Sequence, residues 1–358
     1  MIIINEKLNN NIIYPIYKPF NIDEIIFFDI ETTGLSAKTS YLYLIGLTYY
    51  HNNSWHLTQW LLKDPNQEVK LLNLFANKLE AYKRIIHYNG NGFDIPYLTY
   101  KYKLYNLETP FPNIDSIDLY QKVNPYRKIF PFPNLKLKTL ESYFGFKRDD
   151  KYSGGELISM YSQFVGRCQY EKLVSQEASK VSANDLAEIL LLHNYEDLLG
   201  LLEVNEILTY IDLFEYGIKE KDILDSKIKV KDKSFLVNIK VNYNFPLELK
   251  LSASSNNNTE NIIEIKENHI IADVALFNNK LKYYFENYKE YYYLPEEDMA
   301  IHKSLAMYVD KKFRLKATPI TSYTYVELDA LLNSPKDFNN WLNSLVHSTL
   351  SHNINKTN

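Results

Sequence analysis

The sequence predicts an α/β fold followed by a smaller β-rich unit, and three observations carry that prediction. Between residues 25 and 119, apolar runs of strand length are interrupted by a segment whose apolar side chains recur at helical spacing. A long helix with an apolar stripe follows over 184–210. Beyond about residue 214 the pattern changes to the period-two alternation of half-buried strands.

Residues 25–30 form the first short apolar strand, and alternation sends Asp29 and Glu31 to one face. Two adjacent anions on a buried edge repel, and a divalent cation between them removes the repulsion. Hard oxygen ligands favour Mg²⁺ or Mn²⁺ over zinc. The alternative is a strand running out into a turn at Gly34 with both acids solvated. Residues 41–50 and 55–61 read as a second and third strand, joined across 51–54. Val69, Leu72, Phe75 and Leu79 then set the spacing of an amphipathic helix over 66–82.

The next strand, 84–88, runs straight into Asn89-Gly90-Asn91-Gly92-Phe93-Asp94. Two glycines permit a tight turn, and Pro96 lies early in a helix that Asp94 is placed to cap. The stretch is not a GxGxxG phosphate loop, because the later glycines are missing. Residues 111–119 read as another strand, whose Asp115 and Asp118 either cap the following helix or reach a metal or substrate indirectly. From 122 to 148, Lys122, Arg127, Lys128, Lys136, Lys138, Lys147 and Arg148 interleave with Tyr126, Phe130, Phe132 and Tyr143, against one acid, Glu141. Cations for phosphates and rings for bases suit a single strand, although a solvated face beside core aromatics gives the same pattern. A short helix is expected over 135–144. On the 184–210 helix, His193 stands one turn before Asp197, so the two share a face, either as an exposed pair or as part of a site.

In the remainder, 227–241 and 262–275 alternate as strands around a polar, disordered-looking 254–261, and 296–309 reads as a helix after Pro295. Residues 351–358 are expected to fray.

Composition narrows the function classes. At 358 residues the chain can hold a full-sized core and a second domain, and its 46% hydrophobic share fits a soluble protein. A net charge of −4 provides no global basic field, so any polyanion site has to be a local patch. The single cysteine, Cys168, excludes an internal disulfide framework and cysteine-rich zinc sites, and it points to a reducing cytoplasm. No signal peptide, membrane span or protein partner is expected.

Taken in order, Asp29-Ile30-Glu31, then Asn89 to Asp94, then His193 to Asp197 resemble the DEDD exonuclease superfamily of the RNase H-like fold. With Tyr43-Leu44-Ile45-Gly46 and Ser153-Gly154-Gly155-Glu156, they are similar to a bacterial group of ribonuclease H-like domain proteins. The resemblance implies a mixed five-stranded sheet flanked by helices over 21–212. An extension would occupy 1–20, a β-rich α+β accessory region 213–350, and a tail 351–358. It further implies that Asp29, Glu31, Asp94 and Asp197 hold two Mg²⁺ or Mn²⁺ ions, that His193 is the general base, and that single-stranded DNA or RNA is degraded 3′ to 5′. Thr32, Leu35, Asn89, Phe93, Lys136 and Lys138 would contact the strand. His193 departs from the pattern: it stands one position nearer the last Asp than in the histidine-bearing subfamily, at the spacing tyrosine takes in the tyrosine-bearing one. Orienting Asp197 is therefore its alternative role. Two other function classes stay open, a catalytically silent nucleic-acid-binding protein and a phosphodiesterase of small nucleotides.

Overall fold

A computed structural model describes residues 1–9, 18–173, 182–254 and 260–356. Most of the polar stretch 254–261 lies outside the described residues. The chain divides into two compact units, one of Met1–Pro125 with Phe132–Glu206, the other of Tyr126–Pro131 with Ile207–Asn358. Among the described residues, no helix is long and apolar enough to cross a membrane.

In the first unit, β1 (Ile2–Leu8), β2 (Ile25–Thr32), β3 (Leu42–His51) and β4 (Ser54–Leu61) precede α1 (Glu68–Leu79) and β5 (Arg84–His87). Then come α2 (Asp94–Leu104), β6 (Asp115–Asp118), α3 (Leu119–Val123), α4 (Leu137–Tyr143), α5 (Gly154–Leu173) and α6 (Ala183–Val204). The sheet order is β1-β4-β3-β2-β5-β6, antiparallel from β1 to β2 and parallel from β2 to β6. The α/β reading and its strand order along the chain are borne out, with one correction. Ile2–Leu8, set aside above as an extension, is a sixth strand: it pairs along β4, where the Thr58 hydroxyl donates to Asn5 Oδ1 at 2.8 Å. An edge strand has one ladder and one half-buried face, so its alternation is shallow and easily missed.

The two faces of the sheet pack against separate cores, and alternation along β2 sends one set of its apolar side chains to one of them. Ile26, Phe28 and Ile30 pack with Leu71, Leu72 and Phe75 of α1 and Tyr97 and Leu98 of α2. On the opposite face Tyr43 and Leu61 pack with Leu157, Tyr161 and Phe164 of α5 and Leu186 and Leu190 of α6. Helix α6 starts at a reciprocal cap between Ser182 and Asp185, and it ends at Val204 rather than 210.

The close approach of α6 depends on Gly46, which lies opposite Asp29 on β2 and Gln59 on β4. A Cβ there would stand 2.0 Å from Asn194 Oδ1 and 2.6 Å from Leu198 Cδ1. Gly46→Ala should destabilise the fold by about 1–3 kcal/mol through overpacking. Gly166→Ala, where nothing lies within 4 Å on a helix, should stabilise by up to about 1 kcal/mol. Urea titration of both variants checks the contrast, and equal midpoints would show that α6 can retreat without cost.

The second unit contains α7 (Leu208–Tyr216), β7 (Ile223–Val230), β8 (Ser234–Ser254), β9 (Glu260–Ala275), β10 (Lys280–Tyr284), β11 (Tyr291–Leu294) and β12 (Met299–His302). It continues with α8 (Lys303–Ala306), β13 (Leu315–Lys316), β14 (Tyr323–Glu327), α9 (Leu328–Leu332) and α10 (Pro335–Asn355). Strands β7, β8 and β9 form one antiparallel sheet, β10 pairs with β14, and β11 lies between β12 and β13. The helix expected over 296–309 is instead a hairpin into a short helical turn. Its bend places Asp298 at φ +49, and the hydroxyls of Tyr293, Tyr323 and Tyr325 all donate to that carboxylate. This tertiary anchoring outweighs local helical spacing. Residues 351–355, expected to fray, complete the last turn of α10, and Asn353 Nδ2 donates to the Ser252 carbonyl at 3.0 Å.

Candidate active site

Strand β2 carries Asp29 and Glu31 on the face that α6 covers. Asn194 of α6 donates from Nδ2 to Asp29 Oδ2 at 2.8 Å, and Gln59 Nε2 donates to Asn194 Oδ1 at 2.9 Å. This chain of amides fixes Asp29, and the missing side chain at Gly46 leaves room for it.

Asp94 is delivered by a turn wound around Asp118 and His87. Asp118 accepts from the backbone N–H of Asn89 at 2.9 Å and of Asn91 at 3.0 Å while capping α3 through Gln121 N–H. Asn89 sits at φ +59, and Gly90 N–H donates to His87 Nδ1 at 3.1 Å. The ring is neutral, with Nε2 2.8 Å from Ser116 Oγ: burial pushes His87 down to about 4, against the opposing pull of Asp118. Asp94 itself is the first residue of α2, and Phe93 holds the capping position assigned to it from sequence. Its buried carboxylate accepts from Ile30 N–H.

Helix α6 adds His193 and Asp197. His193 Nε2 lies 3.6 Å from Glu31 Oε1 and 3.4 Å from Asp197 Oδ2, while Nδ1 is 2.7 Å from Asp150 Oδ2. His193 is only 7% exposed, which rules out the exposed-pair reading of His193 and Asp197. The loop after α4 is tied down on both sides. Lys138 Nζ donates to Asp150 at 2.8 Å, and Glu196 accepts from the N–H groups of Asp149 and Asp150 at 2.7 and 3.0 Å. Arg148 forks onto Glu141 at 2.5 and 2.6 Å and also donates to Asp197 Oδ1. Gly200 admits that fork, since a Cβ there would stand 1.9 Å from Glu141 Oε1.

The electrostatics follow from this crowding. Burial, then Asp197, Glu31 and Asp94, push Asp29 well above the usual carboxylate range. Burial, Asp197 and Asp94 do the same to Glu31. Burial also raises Asp94 to about 7, with Asp118 and Asp197 adding to it and backbone donors opposing. Asp150 behaves oppositely: burial is outweighed by Lys138, the Tyr152 N–H and His193, which hold it at about 2. Lys138 pairs with Asp150 and the Arg148 guanidinium is shared between Glu141 and Asp197, which leaves the four carboxylates short of positive charge. Ligand atoms of Glu31, His193 and Asp197 lie within 4.8 Å of one another. This donor set of carboxylate oxygens with one imidazole fits a hard or borderline divalent cation.

The raised carboxylates give a pH dependence with a definite sign. An unfolded Asp titrates near about 3.9, so from about pH 4 to 7 the folded chain holds the proton on Asp94 that the unfolded chain has lost. Metal-free stability should fall as pH rises through that window. His87 contributes a slope of opposite sign, so the wild type minus Asp94→Asn difference isolates the effect. At pH 7.5, Mn²⁺ at about a hundred times its Kd should add about 2.7 kcal/mol. Thermal unfolding in EDTA and in Mn²⁺ reads both quantities, and a melting temperature indifferent to Mn²⁺ would mean that the acids bind no cation.

The structure therefore brings Glu31, His193 and Asp197 together, with Asp29 and Asp94 near enough for their charges to be felt. The residues expected from sequence to contact a strand have local places in the fold. The Thr32 hydroxyl closes the Gly34 turn, Leu35 is 88% exposed, and Asn89 belongs to the Asp118 turn. Phe93 packs on Tyr97, Lys138 is paired with Asp150, and Lys136 is exposed. Phe130 and Phe132, expected as stacking rings, are buried. Residues that sequence reasoning missed are Asn194, Gln59, Asp150, Arg148 and Glu141. Asn194 carried a signal, since it lies three positions before Asp197 on the same helix, whereas Asp150 and Gln59 reach the site only through tertiary folding.

Comparison with known proteins finds similarities of three kinds. The Bacillus subtilis (strain 168) uncharacterized protein YprB is 26% identical over 191 residues, which cover 52% of this chain. The chain spans 42% of the length of that relative. Among solved structures, the family B DNA polymerase from the hyperthermophilic archaeon Pyrobaculum calidifontis matches 92% of this chain and 46% of its own, at 12% identity and a TM-score of 0.39. The profile of RNase_H_2, a family of the RNase_H superfamily, matches residues 26–209. That span runs from the strand bearing Asp29 and Glu31 to beyond the helix bearing His193 and Asp197, just over half of the sequence, and on it the chain belongs to the RNase H superfamily as a nuclease-type domain.

Proposed function

We propose that the chain is a metal-dependent 3′ to 5′ exonuclease that hydrolyses phosphodiester bonds of single-stranded DNA or RNA in the cytoplasm. The convergence of Asp29, Glu31, Asp94 and Asp197 on one face, with the buried His193 beside them, supports this reading. The strand direction rests on the resemblance to DEDD exonucleases. The four carboxylates would hold two Mg²⁺ or Mn²⁺ ions, which when bound supply charge for an in-line displacement and make water acidic enough to attack near neutral pH. Asn194 holds Asp29 and Arg148 holds Asp197, so ligand positions are set before a cation arrives. Asp150 accepts a hydrogen bond from the Nδ1–H of His193 and leaves Nε2 free to accept a proton from the attacking water.

One observation favours the silent binding protein instead: the Arg148 guanidinium already occupies an oxygen of Asp197. Digestion of 5′-end-labelled single-stranded DNA and RNA with Mn²⁺ or Mg²⁺ separates the readings. A ladder shortening from the 3′ end is expected. Strands that are bound yet never shortened with either metal would leave a silent binder, and hydrolysis confined to dinucleotides would leave a small-nucleotide phosphodiesterase.

A further inference from the structure

Residues 303–316 of the second unit take no part in the site above. Within them Leu305, Met307, Tyr308, Phe313 and Leu315 expose 57, 68, 83, 43 and 57% of their surface. Scattered exposed apolar residues need no explanation, but this concentration in one short segment does. The same segment carries Lys303, Lys311, Lys312, Arg314 and Lys316 against a single acid, Asp310, in a chain whose net charge is −4.

The segment is held in shape. Ala306 is fully buried, and the N–H groups of Tyr308 and Val309 return to the carbonyls of Leu305 and Ala306 at 3.2 and 3.1 Å. Arg314 lies over the Tyr292 ring at 4.8 Å and donates to the Ala306 carbonyl. Asp310 is used internally, accepting from Lys312 N–H at 3.2 Å. Lys303 has a partner in Glu290 at 3.4 Å, whereas Lys311, Lys312 and Lys316 have no carboxylate partner among the described residues. Lys312 Nζ stands 4.6 Å from the Phe313 ring, so cation and ring reach solvent side by side.

We propose that this surface, centred on Tyr308, Lys311, Lys312 and Phe313, binds single-stranded nucleic acid. Backbone phosphates need local cations and unpaired bases need exposed rings, and this segment presents both. The basic and aromatic run of 122–148 has a similar composition, but its Phe130 and Phe132 are buried and cannot stack on a base. A membrane surface is the weaker occupant, because α8 spans only Lys303–Ala306 and offers no amphipathic helix long enough to lie in an interface. The choice of substrate class rests on the nuclease reading, yet this is a binding property that stands without cleavage.

Binding of a fluorescein-labelled oligothymidylate to the full chain in EDTA, read by anisotropy over a salt series, tests it with hydrolysis switched off. Tyr308→Ala with Phe313→Ala should weaken binding by about tenfold or more, at about 1–3 kcal/mol per stacked base. Lys311→Gln with Lys312→Gln should flatten the slope of log affinity against log salt by about 1.4. Both pairs of side chains are at the surface, so thermal unfolding should show little change. A wild type that does not bind, or affinity and slope unchanged in both double variants, overturns the proposal. So would oligonucleotide binding that survives while the ring variant alone loses cosedimentation with phosphatidylserine vesicles. If the wild type binds and the variants weaken, but no strand is shortened with Mn²⁺, the surface stands and the nuclease reading falls.

Discussion

Asp29→Ala is expected to abolish metal-dependent strand shortening, lowering the rate by at least about three powers of ten. Loss of a carboxylate that positions a cation removes several kcal/mol of transition-state stabilisation, and each 1.36 kcal/mol is about tenfold. Asp29 is held in place, because the Gln59–Asn194 amide chain ends on it and Gly46 clears the space for that chain. A general failure to fold would give the same loss, so the informative partner is Asp29→Asn. The amide keeps the acceptor for Asn194 while removing a buried ionisable group whose charged form burial, Asp197, Glu31 and Asp94 all oppose. Its melting temperature in EDTA at neutral pH should rise above wild type while its activity vanishes. Opposite signs in stability and activity mark a functional carboxylate, since strain tolerated for function costs stability. An active Asp29→Asn enzyme, or one that is both inactive and less stable, would remove Asp29 from the site.

The fold was legible where burial imposes a period. Phe28 and Ile30 on one side of β2 and Asp29 and Glu31 on the other follow from alternation alone, and the helical stripe of α6 from Leu186, Leu190 and Leu198 is equally direct. Site residues were legible where they sit on such elements. Asp150, Arg148 and Glu141 lie on or beside a loop with no period, and the charges of Arg148 and Lys138 fit a strand track or a solvated face by composition, whereas their partners are Glu141, Asp197 and Asp150. Composition records that a cation is present; only the fold decides which anion it meets. The same limit explains the hairpin at 291–302, where hydroxyls arriving from β14 hold the turn at Asp298.

His193→Gln should lower kcat by about 10²- to 10⁴-fold if the imidazole accepts the proton of the attacking water. The geometry that favours this role is the pair of contacts at its two nitrogens: Nδ1 is 2.7 Å from Asp150, and Nε2 is left facing Glu31 and Asp197 at 3.6 and 3.4 Å, beyond hydrogen-bond length. Asp150 is itself kept charged by Lys138. Asp150→Ala should therefore cost about ten- to a hundredfold by releasing the ring, a loss that in the His193→Gln background should largely disappear, because the two act as one unit. The competing role, orienting Asp197, makes a different prediction. Asp197 has Arg148 as a second anchor, so a base mutant should retain Mn²⁺ affinity measured by calorimetry, whereas loss of an orienting residue should weaken it in parallel with kcat. Normal Mn²⁺ binding with a collapsed kcat assigns the base to His193. Matched losses of both assign it to the support of Asp197, and an unchanged kcat removes His193 from the chemistry.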